Sequence, residues 1–394
     1  MTTQDTIALF DKYVIGNYTR LPVVFVRGQG SELWDADGKR YLDLFPGWGV
    51  NGIGHCHPRV SAVIAEQAKK LMHVANNFYM EPQGILAQMI SERSFGGKCF
   101  FCNSGAEANE GALKLARLAT PPGKYKTITF RNSFHGRTLA AISATAQPKY
   151  HKGLEPIMPG FSYAEFNDLA SAEALVDDET CAIMVEPIQG EGGVNVATKD
   201  FLAGLRALCD ERGLMLIFDE VQTGCGRTGT WFGYQHDGVE PDIMSLAKAL
   251  GGGTAIGALA AKPEVAAKLV PGTHASTFGG NPIACAAGIA TFQAIEEENM
   301  LENATAVGRH AIERLNAMRK QAPFIKDVRG RGMMIGCELT VPGANIVNRC
   351  MERGLLINCT HETVLRMLPA MNISRALMDE GLEILEQVLI EETA

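Results

Sequence analysis

Four short apolar runs limit what this chain can fold into more than any other feature: KCFFC at 98–102, KTITF at 126–130, CAIMVEP at 181–187 and LMLIFDE at 214–220. Runs that are apolar on both faces and separated by amphipathic helical stretches predict strands of a mostly parallel sheet with helices packed around it, an α/β fold. Residues 58–285 are read as one large α/β unit. After about Pro282 the pattern changes: two longer helical stretches (about 283–300 and 301–321) lead to RGRGMMIGCEL and to a last helix near 375–391. This part, 286–394, is expected to join residues 1–57 in a smaller α+β unit. Within the N-terminal segment, SELWDADGKRYLDL alternates apolar and polar residues around a hairpin turn at Asp37-Gly38. At 394 residues the chain exceeds the size at which one hydrophobic core usually stops growing, which fits two units.

Composition narrows the partners. The formal charge of −8 carries no long run of one sign, so nothing favours nucleic acid or an anionic membrane surface. No apolar run approaches the roughly 20 residues of a membrane helix. The start, MTTQDTIALFDKYVIGNYTR, lacks the basic stretch and apolar core of a secretory signal. Ten scattered cysteines, several in apolar strands, suit a reducing cytoplasm.

Three fragments carry chemistry. FFCNSGAEANEGALKLARLA runs strand, turn, helix, and puts Ser104, Gly105 and Ala106 where unpaired backbone amides and the positive dipole end face outward. A phosphate would be well held there; the alternative is a simple cap by Asn103 or Ser104. LMLIFDEVQTG ends a buried strand on Asp219 and Glu220, and because neighbouring strand residues point to opposite faces, only one of them can aim into a given crevice. The other reading is a helix or loop cap. MSLAKALGGGTAIG sets Lys248 between two alanines and before three glycines. Partial desolvation there would favour the neutral amine, the form that attacks a carbonyl; a snorkelling surface lysine is the alternative. A helix N-terminus, a carboxylate and a lysine are the three things pyridoxal 5′-phosphate needs: a phosphate seat, a partner for its ring nitrogen, and an amine for its aldehyde.

With these and the ordered motifs GHCHP, NSGAEANE, NSFHGRT, EPIQGEGG, FDEVQTG, SLAKALGGG and STFGGNP, the chain resembles the class III (subgroup II) aminotransferases over nearly its whole length. The resemblance implies a fold type I transferase that uses pyridoxal phosphate. It implies that Lys248 bonds the aldehyde, Asp219 pairs with the ring nitrogen, Gln222 bonds the ring's phenolic oxygen, and Ser104, Gly105 and Ala106 lie at the phosphate. Phe134 would stack on the ring and Arg137 would grip a substrate carboxylate. Thr277 would reach the phosphate held by a second subunit, with Ser276 beside substrate, so that a homodimer shares its active sites. Glu191 and Arg366 would form a pair that masks the arginine for one substrate and releases it for a dicarboxylate, a static ion pair being the alternative.

Within the family the pattern is most similar to members that move the terminal amine of N2-acetylornithine to 2-oxoglutarate, a step of arginine synthesis. Ornithine, succinylornithine, 4-aminobutyrate and an acetyl-lysine analogue remain alternative donors, because Trp48 and Gly49 in FPGWGVNGIGH depart from the usual pattern. An aminomutase, or a protein that only binds the vitamin, is a further alternative.

Some motifs mislead. GCGRTG (224–229) fits G-x-G-x-x-G but does not follow a strand directly, as a nucleotide turn requires. His55-Cys56-His57 lacks a second ligand set, so no metal is expected. Cys99 and Cys102, three apart on a strand, point to opposite faces. Met333, Met334, Met367 and Met371 are read as packing.

Overall fold

A computed structural model describes residues 1–393. Its central sheet has seven strands in the order Lys98–Cys102, Gly257–Ala261, Ile243–Leu246, Met215–Asp219, Thr180–Val185, Lys126–Phe130, Phe161–Ala164. Gly257–Ala261 runs against both neighbours and every other pairing is parallel, so the sheet is mixed but mostly parallel. Alternate residues serve opposite faces. Ile183, Val185, Leu216 and Phe218 enter the core that holds Phe201, Leu202 and Leu205 of the helix Lys199–Arg212. Met184, Ile217, Ile243 and Leu259 enter the core under Ala112, Leu113, Leu115 and Ala116 of the helix Gly105–Ala119. Burial on both faces is why these runs are continuously apolar. KCFFC departs from that expectation: Lys98 is exposed, and Cys99 and Phe100 are only partly buried, because their strand lies at the sheet's edge.

Local signals set the helix ends. Thr198 caps Lys199–Arg212 by accepting from the Phe201 amide, and Gly213 closes it in the left-handed conformation, where a side chain would strain the backbone. Asn281 caps Pro282–Glu297 in the same way.

Two four-stranded sheets lie apart from the central one. One joins Phe25–Gln29, Glu32–Asp35 and Arg40–Asp43 to Leu355–Leu356; the other orders Ile325–Arg331, Met334–Leu339, Val364–Met367 and Asn358–Thr360. The turn at Asp37-Gly38 forms, with Asp35 Oδ1 accepting the amides of Asp37 and Lys39. One apolar core unites Leu42, Leu44 and Ile53 with Met300, Leu315, Met333, Met367, Met371 and the last helix, Arg375–Thr393, so these methionines pack as expected; Met334 is buried in a small neighbouring cluster.

GCGRTG is a tie between parts of the chain. Arg227 is fully buried and donates to the carbonyls of Leu368 (3.0 Å), Pro369 and Gly49 (3.3 Å), and burial pushes it down to about 10. His55 pairs with Asp43 and His57 with Glu298, and among the described residues no cluster could hold a metal ion. Burial pushes the Cys99 and Cys102 thiols up to about 12, which disfavours the thiolate that redox chemistry needs. No described helix is long and apolar enough to cross a membrane.

Candidate active site

Beyond the carboxyl ends of the central strands lies a cavity of about 400 Å³, the usual place for a ligand in such a sheet. Asp219, the last residue of its strand, lines it. Asp219 Oδ2 accepts from Asn109 Nδ2 and His135 Nδ1, each at 2.8 Å, and Oδ1 accepts from the Val221 amide at 3.0 Å. Glu220 points the other way, accepting from the Gly233 and Tyr234 amides (2.8 Å each) and from Thr223 Oγ1; burial pushes it up to about 6. Strand alternation thus gives one carboxylate to the crevice and the other to a loop.

Lys248 opens the short turn Lys248–Gly251 after the strand Ile243–Leu246 and lines the cavity between buried Ala247 and Ala249. Its backbone is left-handed, φ 41°, a conformation that costs a residue with a side chain and persists only where the surroundings hold it. Burial lowers its proton affinity, and Arg366 adds to this, against the pull of Glu191, Asp219 and Glu186. The glycines after it are needed for close approach: a Cβ on Gly252 (φ 56°) would lie 2.6 Å from Thr291 Oγ1.

Ser104 caps the helix Gly105–Ala119 by accepting from the Glu107 amide, while Gly105 and Ala106 stand in its first turn at the cavity wall. The Ser104 cap therefore leaves the first turn of the helix facing the cavity. Phe134 lines the wall, its amide donating to Glu186 Oε2 (3.1 Å) and its ring meeting Tyr150 edge-on at 5.8 Å. Burial pushes Glu186 up to about 7, with Asp219 adding to that and His135 opposing it. Gln222 and Glu191 also line the cavity.

The Glu191–Arg366 pair is present at 2.7 Å. Burial works against the Glu191 charge, but Arg366, with Lys248 and Gln222, outweighs it and holds the carboxyl below its ordinary range. Arg366 is fully buried, donates also to Asn358 Oδ1 (3.0 Å) and Gln222 Oε1 (3.4 Å), and lies 4.9 Å from the Phe45 ring.

Four expected residues lie off the cavity wall: Arg366, which stands behind Glu191 and Gln222, and three more. Arg137 is exposed, its guanidinium 4.0 Å from the Tyr150 ring and 5.5 Å from that of Phe134. Ser276 borders a separate groove, accepting from Asn103 Nδ2 (3.3 Å) and the Gly279 amide (3.0 Å), and Thr277 beside it is exposed. Sequence reasoning missed Asn109, His135 and Glu186. A signal existed for each: a polar residue on the buried face of a helix, a histidine between two residues already singled out, and a carboxylate just past a strand end.

The donor set suits pyridoxal phosphate. A carboxylate has about four acceptor positions; three on Asp219 are taken, and one on Oδ1 is left for a ring N–H. Lys248 and the helix N-terminus line the same cavity.

Known proteins give the same picture. A family model described as Aminotransferase class-III matches residues 13–389. The chain is 50% identical over 385 residues to an acetylornithine aminotransferase of Caldanaerobacter subterraneus subsp. tengcongensis, covering 96% of this chain and 98% of that one. It is 45% identical over 387 residues to a succinylornithine transaminase of Yersinia pseudotuberculosis, covering 95% and 94%. Among solved structures, a Toxoplasma gondii ornithine aminotransferase with partial occupancy of pyridoxal phosphate in its active site superposes with a TM-score of 0.93 at 34% identity, covering 100% of this chain and 96% of that one. This chain belongs to the class-III aminotransferases.

Proposed function

We propose that the protein moves the terminal amine of N2-acetylornithine to 2-oxoglutarate, giving N-acetylglutamate 5-semialdehyde and glutamate in arginine synthesis, as a cytoplasmic homodimer. The observation that carries this reading is the convergence of Lys248, Asp219 and the Gly105–Ala106 turn on one cavity, in a chain half identical to an acetylornithine aminotransferase. Residues 58–285 form the cofactor-binding unit, and 1–57 with 286–394 the smaller unit that brings Arg366 to its edge.

Pyridoxal 5′-phosphate, when bound, supplies an aldehyde that takes up amines and a ring that spreads the charge left by a departing proton. Lys248 would hold the aldehyde, Asp219 the ring nitrogen, Gln222 the phenolic oxygen, Phe134 the ring face, and the amides of Gly105 and Ala106 with Ser104 the phosphate. Once displaced by substrate, the Lys248 amine is free to act as general base at the carbon bearing the substrate amine and to hand the proton back. Its lowered proton affinity suits that task. Arg137 grips the donor's remote carboxylate. Glu191 covers Arg366 while the donor is bound and yields it to 2-oxoglutarate. Ser276 lies beside substrate, and Thr277 reaches the phosphate held by the other copy of the chain.

A panel of acetylornithine, succinylornithine, ornithine and 4-aminobutyrate, each with 2-oxoglutarate and ranked by kcat/KM, tests the donor. Acetylornithine should lead, Lys248→Ala should lose both turnover and yellow colour, and a lead for ornithine or 4-aminobutyrate rejects the named substrate.

A further inference from the structure

Asn109 and His135 have no part in the mechanism above, yet both converge on one atom of it. Asn109 Nδ2 and His135 Nδ1 stand 2.8 Å from Asp219 Oδ2. His135 is fixed in turn: its amide donates to Thr145 Oγ1 at 2.8 Å, and its carbonyl accepts from Asn109 Nδ2 at 2.7 Å. The ring is wholly buried, and its other nitrogen, Nε2, has no partner among the described residues. An apolar ring would fill that space without the cost of an unpaired buried nitrogen, so packing alone does not account for a histidine. Its one polar side-chain contact is Asp219, and since a carboxylate oxygen only accepts, Nδ1 carries the proton.

We propose that His135 and Asn109 are positioning residues for Asp219: by occupying both acceptor positions of Oδ2 they hold Oδ1 turned toward the cavity, and so set how firmly the cofactor's ring nitrogen is held. This rests on the reading of Asp219 as the ring-nitrogen partner. Removing a donor weakens the charged form of a carboxylate. The other charged or titratable groups facing the trio are Glu186 past the strand Thr180–Val185, Lys248 across the cavity, and Glu220 behind Asp219.

The test compares wild type, Lys248→Ala, His135→Phe, His135→Asn and Asn109→Ala, each stripped and titrated with pyridoxal 5′-phosphate. Wild-type binding with a visible band, lost in Lys248→Ala, checks the underlying reading separately. Phe keeps the ring volume without the donor, whereas Asn offers an amide near the place of Nδ1. His135→Phe is expected to bind the cofactor about tenfold more weakly and to lower kcat by about tenfold, with KM for the donor within about threefold. The pH at which its visible band changes should move by at least about half a unit, and His135→Asn should recover most of each effect. A His135→Phe protein with wild-type affinity and band, or a His135→Asn protein as impaired as it, overturns the proposal. Should His135→Phe fail to fold, Asn109→Ala must show the same band shift in smaller measure, and a folded Asn109→Ala with a wild-type band overturns it equally.

Discussion

At Lys248 two departures from an ordinary lysine coincide: a left-handed backbone and an amine that burial makes harder to protonate. The sign of the pH effect follows. The neutral amine is the reactive form; as pH falls through the lowered value it takes a proton and reacts more slowly. Uptake of pyridoxal phosphate by the stripped protein should therefore have its midpoint below lysine's ordinary 10.5. Glu191 is the largest influence acting the other way, so Glu191→Gln should move that midpoint to still lower pH. Uptake rates across pH check this, and a midpoint that rises in the variant rejects it. The same substitution separates a gate from a static pair at Arg366. Freed of its partner, Arg366 competes for the donor's carboxylate but still receives 2-oxoglutarate. The donor half-reaction should lose about tenfold in kcat/KM, roughly one lost charged hydrogen bond, and the 2-oxoglutarate half-reaction much less. A parallel fall in both, in stopped-flow half-reactions, means a structural ion pair.

The long helix Met300–Met318 shows how closely elements pack. Gly308 faces the turn at Gly332, and a Cβ there would lie 2.1 Å from the Gly332 carbonyl oxygen. Alanine would gain about 1 kcal/mol in helix propensity. Against that, backbone cannot step aside as a side chain can, and overpacking of this kind costs about 1–3 kcal/mol or more. Gly308→Ala should therefore lower the melting temperature, and calorimetry showing a rise would contradict the packing. Elements were also where the sequence spoke most clearly. Continuous apolar runs predicted four of the seven central strands, and strand alternation gave only one of Asp219 and Glu220 to the crevice, since both signals are local. His135 and Asn109 were illegible for the opposite reason: they meet Asp219 across 84 and 110 residues of chain, and no local period encodes such a meeting. The edge position of KCFFC was hidden likewise, because strand order is a property of the whole sheet.

At the scale of the molecule, one chain accounts for most of the expected site but leaves Ser276 at a separate groove and Thr277 exposed beside it. Phe278, next to them in the chain, is largely exposed, as is Tyr79. Exposed aromatic side chains of this kind suit the proposed twofold dimer, and a dimer that lends Thr277 to its neighbour makes a sharp prediction. Lys248→Ala disables its own cavity but still lends an intact Thr277. Thr277→Glu keeps its own lysine but sets a carboxylate against the phosphate in the other copy. Each variant alone should be inactive. After unfolding and refolding a one-to-one mixture, half the dimers are mixed, and each mixed dimer has one intact site, so roughly a quarter of wild-type activity should return. Restored activity in that proportion requires Thr277 to act across the interface. If each site drew only on its own chain, every site in the mixture would keep its defect and mixing would restore nothing, which would send Thr277 back to the surface of its own subunit.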